Sequence, residues 1–426
     1  MNRVHIKERV ITRVKEQEKL FASLLKWIIL SNLAGVIVGT IASGFAKGIT
    51  MATEFRMAHP YILFGLPLGG LFIVGMYHLT KQEKNAGTNL IINSVRSGEE
   101  IPLRITPLIV ISTIVTHFFG GSSGREGAAL QLGGSIGAYM SNLLKLNEDD
   151  KKILILASMS AAFSALFGTP MAATIFPMEV ISIGVMYYAA LVPCVFAAFT
   201  AERVALFFAA HTIQTPYPVT DVPSFYSIAS VKILVLAIAC ALVGSLFCIA
   251  LKVSGKLYAK YIENPYIRVV VGGVLVILFT YLVGSRDYLG LGNQVIHASF
   301  QDPAGMQVFL LKILFTCLTL CAGYKGGEIV PTLFIGATLG SALSVFLGLP
   351  VDICAACGMV GVFCAVTNSP ITSLLIAFEL FGYAGMPFYC AVVAISYMIS
   401  GYYSLYSAQK IVYSKVTPRY IDRKMN

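Results

Sequence analysis

The chain has 426 residues, of which 57% are hydrophobic and only 12% charged, with a formal net charge of +10 and a mean hydropathy of +0.77. An ordinary globular protein carries about 25% charged residues, and a soluble fold of this size could not cover its surface with so few. The composition excludes a secreted enzyme, a nucleic-acid binder or a disordered scaffold, and specifies a multi-spanning all-α membrane protein.

The N-terminal segment, residues 1–20, holds six Lys/Arg against three Glu. It lacks a signal-peptide layout, because a full-length apolar span follows the basic region with no small-residue cleavage site. Apolar stretches long enough to cross a bilayer are expected around 21–46, 184–210, 228–251 and 386–402. Other apolar pieces are too short or are broken by Gly and Pro, as at 87–97, 128–144, 329–347 and 370–381. Roughly a dozen helical pieces joined by short loops are expected, an arrangement that suits transporters, whose interrupted helices end at mid-membrane around an ion site. The C-terminal segment, residues 408–426, holds five Lys/Arg against one Asp. Basic flanks beside apolar spans place both termini in the cytoplasm by the positive-inside rule. The nine cysteines lie in apolar runs. Cys354-x-x-Cys357 has no partner pair, so all nine are expected to be small buried hydrophobes.

The sequence repeats. Phe167-Gly168-Thr169-Pro170-Met171 is followed by Glu179, and Thr367-Asn368-Ser369-Pro370-Ile371 by Glu379, at an offset of 200 residues. Gly124-Arg125-Glu126-Gly127 with Gly133-x-x-x-Gly137 is matched by Gly326-Gly327-Glu328 with Gly336-x-x-x-Gly340, at an offset of 202 or 203. The chain therefore divides into two related halves, 21–210 and 228–410, flanked by the basic segments 1–20 and 411–426. Glu179 and Glu379 are expected to play matching structural roles.

Three Gly-rich turns open apolar helices, at Gly87-Thr88-Asn89, at Gly121-Ser122-Ser123-Gly124-Arg125-Glu126-Gly127 and at Gly323-Tyr324-Lys325-Gly326-Gly327-Glu328-Ile329-Val330-Pro331. A helix N-terminus leaves four N–H groups unpaired and carries about half a positive charge. Glycine lets the backbone come close to a ligand. Several such ends aimed at one point bind an anion without a full cation, and so without holding it too firmly to release. A Walker phosphate loop is excluded, since no G-x-x-x-x-G-K-[ST] occurs.

Gly124-Arg125-Glu126-Gly127 resembles the G-[KR]-E-G-P motif of the CLC family of anion channels and anion/proton antiporters, with Ala128 where Pro is usual. Gly327-Glu328-Ile329-Val330-Pro331 resembles that family's G-x-F-x-P motif, with Ile329 in place of Phe. Gly87-Thr88-Asn89-Leu90-Ile91 takes the place of G-S-G-I-P, and Leu405-Tyr406-Ser407-Ala408 resembles the segment carrying the pore tyrosine. The resemblance spans the chain in order, and Thr88-Asn89 with Glu328 is similar to the fluoride-exporting branch. It implies two inverted repeats with broken or half helices, a pore in each subunit and a homodimer in the cell membrane; with no soluble stretch read at either end, no CBS domains are expected. It implies Glu126 as the gating and proton-carrying residue. Thr88, Asn89, Gly124, Arg125, Gly127, Ile329, Val330 and Tyr406 would line the anion site. Tyr406 can equally be read as an interfacial aromatic.

Two departures bear on mechanism. The inward-facing glutamate usual in antiporters falls at Val180, which cannot titrate. The pore serine is replaced by Thr88-Asn89, and Glu328 stands beside the third motif. Lys325 is expected to pair with Glu328, either to shape the entrance or, equally, as a plain structural ion pair. Small-anion transport is the leading function, as an anion/proton antiporter for chloride, fluoride or a similar ion. A passive chloride channel and a fluoride/proton antiporter remain alternatives. No cofactor, metal or nucleic acid is expected, only anions, protons and the lipid bilayer. An intramembrane hydrolase using His117 with Ser122 or Ser123 lacks the oriented base such chemistry needs. A cation transporter would want converging carboxylates.

Overall fold

The computed structural model describes residues 2–83, 87–208, 217 and 219–424, with side chains described from residue 12 to residue 423. The first half runs α1 (Asn2–Ala58), α2 (Leu66–Leu79), α3 (Thr88–Ser97), α4 (Ile105–Phe119), α5 (Glu126–Leu143), α6 (Glu148–Phe167), α7 (Pro170–Val180), β1 (Ser182–Ile183) and α8 (Leu191–Phe207). The second half runs α9 (Ile228–Tyr261), α10 (Pro265–Val283), α11 (Asn293–Ala298), α12 (Val308–Leu320), α13 (Ile329–Leu347), α14 (Val351–Thr367), α15 (Pro370–Phe381) and α16 (Met386–Ile399). A hairpin of β2 (Lys410–Tyr413) and β3 (Tyr420–Lys424) closes the chain. Strand β2 lies parallel to β1 and antiparallel to β3, so the basic C-terminal segment forms a small sheet against the end of α7.

Among the described residues, six helical stretches are long and apolar enough to cross a membrane. They differ in burial: the apolar window of α13 is 83% buried, that of α10 only 28%. Helices such as α10 turn most of their surface to lipid, whereas α13 is walled by protein on nearly every side. The span expected from 184 begins later, because Gly184 (φ +86) turns the chain out of β1 and α8 starts only at Leu191.

The paired Gly-x-x-x-Gly segments pack backbone on backbone, as small residues do between helices in lipid. A Cβ on Gly133 would lie 2.3 Å from the Ser158 carbonyl of α6. A Cβ on Gly340 would lie 2.0 Å from the Cys354 carbonyl of α14. The matched pairs α5/α6 and α13/α14 thus form the tight interior of each half. The αL residues that end α6 and α14 are also counterparts, Gly168 (φ +66) and Asn368 (φ +58). Asn is the non-glycine residue that tolerates this conformation best.

The relation between the halves follows from two carboxylates. Glu179, at the end of α7, accepts from the N–H groups of Ile371 (3.0 Å) and Thr372 (2.9 Å) and from the Thr372 hydroxyl (2.6 Å), at the start of α15. Glu379, near the end of α15, accepts from the N–H groups of Met171 (2.9 Å) and Ala172 (2.9 Å), at the start of α7. Each helix caps the other's N-terminus, so the two counterparts run antiparallel. A two-fold axis along the membrane normal would leave them parallel. The repeat is therefore inverted.

Glu179→Ala leaves two N–H groups and a hydroxyl unpaired in a buried place, and is expected to cost about 1–3 kcal/mol. Glu379→Ala, at a more exposed carboxylate, is expected to cost less. Thermal unfolding of the purified protein in detergent checks the order, and melts equal to wild type for both would remove the capping role.

The cysteine expectation needs correcting. Cys390 is exposed and Cys321 half-buried, while the other seven are buried. Cys390 sits on the outward face of α16, where an apolar thiol can meet lipid as readily as protein.

Candidate anion site

Helices α5 and α13 begin back to back. Gly124 and Gly327 exchange two backbone hydrogen bonds, Gly124 N–H to Gly327 O (2.6 Å) and Gly327 N–H to Gly124 O (2.8 Å). No side chain fits this joint, since a Cβ on Gly327 would lie 2.5 Å from the Gly127 nitrogen. The pairing staples the two helix N-termini of the inverted halves around one point, and both positive ends act there together.

Glu126, the first residue of α5, occupies that point and is fully buried. Its Oε2 accepts from the Arg125 N–H at 3.0 Å, and the backbone N–H groups of Glu126 and Val330 also lie within electrostatic reach of the carboxylate. Its Oε1 lies 3.5 Å from Arg125 Nε. The Arg125 guanidinium is itself anchored on the Leu166 carbonyl at 3.1 Å. Backbone donors from both halves thus converge on a carboxylate group, and the same donors would serve a free anion were the side chain to leave. Ile329 and Val330, buried at the start of α13, contribute backbone N–H groups and an apolar wall.

Beside this nest lies a cavity of about 180 Å³, lined in part by Thr88, Asn89, Gln131, Lys325, Glu328 and Tyr406. The third Gly-rich turn, at Gly87 (φ +64), opens α3 onto it. Of the two candidate residues there, Thr88 donates its hydroxyl to the Gly127 carbonyl (3.3 Å), and Asn89 Oδ1 accepts from the Ala408 N–H (2.8 Å). Asn89 therefore helps to hold the Tyr406 loop. The Tyr406 hydroxyl is buried and has no hydrogen-bond partner among the described residues. It lies within electrostatic reach of both Glu328 and Glu126.

The chain holds Tyr406 in place through a residue that sequence reasoning missed. Gln409, fully buried, donates from Nε2 to the carbonyls of Val180 (2.9 Å) and Thr367 (3.0 Å). Its Oε1 accepts from the Ser404 hydroxyl (2.8 Å), and its own N–H bonds the Tyr406 carbonyl (3.1 Å). Val180 thus joins the site through its backbone, while its buried side chain offers nothing that titrates. No local pattern marks Gln409; its partners come from α7, α14 and the 404–406 turn.

The expected Lys325–Glu328 pair is not among the ion pairs of the described residues. Lys325 instead lies over the Tyr77 ring at 4.5 Å, because the turn before α13 carries it toward α2. The buried His117 comes no nearer than 3.4 Å to the Ser123 hydroxyl, and the Ser122 hydroxyl faces Thr316 (3.2 Å). No carboxylate bonds to His117 among the described residues, so no nucleophile–base–acid arrangement forms. Nor does any cluster of His, Cys, Asp and Glu among the described residues resemble a metal site.

The chain is similar to several known proteins. The model of the voltage gated chloride channel family matches residues 69–401. A chloride/fluoride channel protein of Pseudomonas syringae pv. tomato is 36% identical over 411 residues, covering 95% of this chain and 90% of that protein. The H(+)/Cl(-) exchange transporter ClcA of Vibrio cholerae serotype O1 is 24% identical over 409 residues, covering 87% of this chain and 84% of its own. Among solved structures, a CLC-type fluoride/proton antiporter superposes with a TM-score of 0.87 at 33% identity, covering 91% of this chain and 98% of that one. A slow cyanobacterial Cl−/H+ antiporter shares the fold with a TM-score of 0.77 at 16% identity, covering 88% and 94%. With its inverted halves, its stapled helix N-termini and these relatives, the chain is a multi-pass membrane transport protein, not an enzyme, and belongs to the CLC family of anion channels and anion/proton antiporters.

Proposed function

We propose that this protein exchanges a small halide for protons across the cell membrane, with fluoride as the preferred anion. The observation that carries the reading is the Glu126 carboxylate seated among backbone N–H donors from both halves. A tethered carboxylate and a free anion would compete for those donors. Protonating Glu126 removes its charge, releases it from the nest and lets an anion enter. The next deprotonation returns the carboxylate and expels the ion. Proton and anion are thereby coupled through the partial charges of two helix ends, with the buried Arg125 guanidinium drawn partly aside onto the Leu166 carbonyl.

The Tyr406 hydroxyl would donate to the entering ion, and Thr88, Gly124, Arg125, Gly127, Ile329 and Val330 would form the rest of its surroundings. Glu328, the acid that lines the adjoining cavity, would pass protons toward Glu126 in place of the missing glutamate at Val180. Preference for fluoride is supported by the likeness to a fluoride/proton antiporter and a chloride/fluoride channel protein. The basic segments support both termini on the cytoplasmic side, and the family resemblance supports a homodimer.

Purified protein in liposomes tests the proposal. A fluoride gradient imposed across the vesicles is expected to drive protons uphill, recorded with a pH electrode, and a chloride gradient to drive them less. Anion flux with no proton pumping by either halide would replace the exchanger with a channel.

A further inference from the structure

A second cavity, of about 400 Å³, lies between the C-terminal end of α1, the turn that follows it, and the loop leading into α11. None of its lining residues borders the Glu328–Tyr406 cavity. It sits at the end of α1 opposite to the segment where Lys26 pairs with Asp150 at 2.5 Å. Two guanidinium groups line it, Arg56 and Arg286, close enough to repel one another. Neither has a carboxylate partner among the described residues. Arg56 donates from Nη1 to the His117 carbonyl (3.0 Å). Arg286 is exposed, and no side-chain bond of its own is found among the described residues. The acid at hand, Asp287, takes the Ser285 hydroxyl instead (2.6 Å).

Two further polar atoms of the lining are buried and unpartnered, Thr53 Oγ1 and Asn293 Oδ1. Asp287 lines the same cavity, but like charges that pair with no carboxylate are stabilised by an anion, and the field of a concave wall concentrates one. A water molecule takes about 30 Å³ of liquid, so a bare halide would leave most of the volume empty. A hydrated ion fits the space better, with Thr53 and Asn293 bonding its waters. The same wall supports the transport site. The Gly290 N–H bonds the Gly121 carbonyl (3.2 Å), and a Cβ on Gly290 would meet the Arg56 guanidinium at 2.8 Å. His117, whose carbonyl Arg56 holds, approaches the Gly124 carbonyl at 3.4 Å.

We propose that this basin binds a hydrated monovalent inorganic anion between Arg56 and Arg286, as a loading station on the face opposite to the Tyr406 cavity. The role in loading rests on the small-anion transport proposed above; the binding does not.

Two measurements test it. Crystals soaked in bromide are expected to show an anomalous peak between the two guanidinium groups in the wild-type protein and none in Arg286→Gln. In liposomes, Arg286→Gln is expected to raise the anion KM about threefold and leave the saturated rate within about twofold. Arg286→Lys should restore the KM. Arg286 makes no bond that holds the fold, so the variant reports on charge. Absence of the wild-type peak overturns the site. A peak with an unchanged KM in a transporting protein means an adventitious ion only, and overturns the loading role. A peak in a protein that moves no anion would leave the basin standing as a binding site and count against the transport reading instead.

Discussion

Glu126→Gln is expected to abolish proton movement coupled to the anion, with a fall of at least about a hundredfold, the scale lost when a positioned proton-transfer group is removed. Glutamine has the shape of glutamate but cannot carry a proton. Its amide would also present N–H donors to the backbone donors of Arg125, Glu126 and Val330, which now face a carboxylate. The side chain should therefore leave the nest and stay out. Glu126→Ala empties the nest outright and is expected to pass anions passively down their gradient. The check is a pair of recordings on the same liposomes, a pH electrode for protons and an anion electrode for the halide. Persisting uphill proton pumping in both variants would falsify the tethered-anion role. Loss of both fluxes in Glu126→Gln with passive flux in Glu126→Ala would mean that the amide stays in the nest and closes it, against the departure expected here.

The direction of that effect depends on how the site holds charge. A full cation beside the ion would bind it in the low dielectric of the interior with an energy that slows its release. Two helix ends offer partial charges and directional donors, shared between a carboxylate and a free anion on similar terms. Arg125, the cation in direct contact, is turned partly aside, with one arm of its guanidinium on the Leu166 carbonyl. Exchange of carboxylate for halide then involves groups of like charge competing for the same N–H bonds, which is the condition for reversible coupling.

Much of this site was legible in the sequence because its parts are local. Gly-rich turns before apolar helices placed Thr88, Glu126 and Ile329 at helix starts, and the matched offsets of Glu179 and Glu379 pointed to a shared structural role. What the matched blocks alone left open was the sense of the repeat, which only the family resemblance implied, since two such blocks read alike whether the halves are parallel or inverted. The reciprocal capping of α7 and α15 decides it. Gln409 was invisible for a related reason. A lone amide after an aromatic turn has no periodicity, and its meaning lies in the carbonyls of Val180 and Thr367, far away in the chain. Lys325 misled in the opposite way: three residues from Glu328, it invited a pairing, yet the turn carries it to the Tyr77 ring. Arg56 and Arg286, distant in sequence and one of them at a helix end, gave no sign of a common cavity.

Glu328→Gln is expected to cut coupled proton transport by at least about a hundredfold as well, and for a different reason. A proton that reaches Glu126 from the Tyr406 side must cross a region where Val180 offers no titratable group. Among the described residues, Glu328 is the one carboxylate lining the cavity on that side. It is also near enough to the nest that a Cβ on Gly127 would lie 3.4 Å from its Oε2. The two glutamates are thus separated by little more than the glycine joint of α5 and α13, a span that a side-chain swing or a single water can bridge. Glutamine at 328 keeps the shape of the cavity and the approach of Tyr406, so anion binding should survive while protons stop. Glu328→Asp, with a shorter arm, should recover part of the coupling. Proton and halide fluxes recorded together, with halide binding by calorimetry on the same variants, separate the two steps. Retained binding with lost pumping marks Glu328 as a proton carrier. Unchanged pumping in Glu328→Gln would mean that water in the cavity delivers protons to Glu126 directly, and would leave Glu126 as the sole titrating group of the proposed exchange.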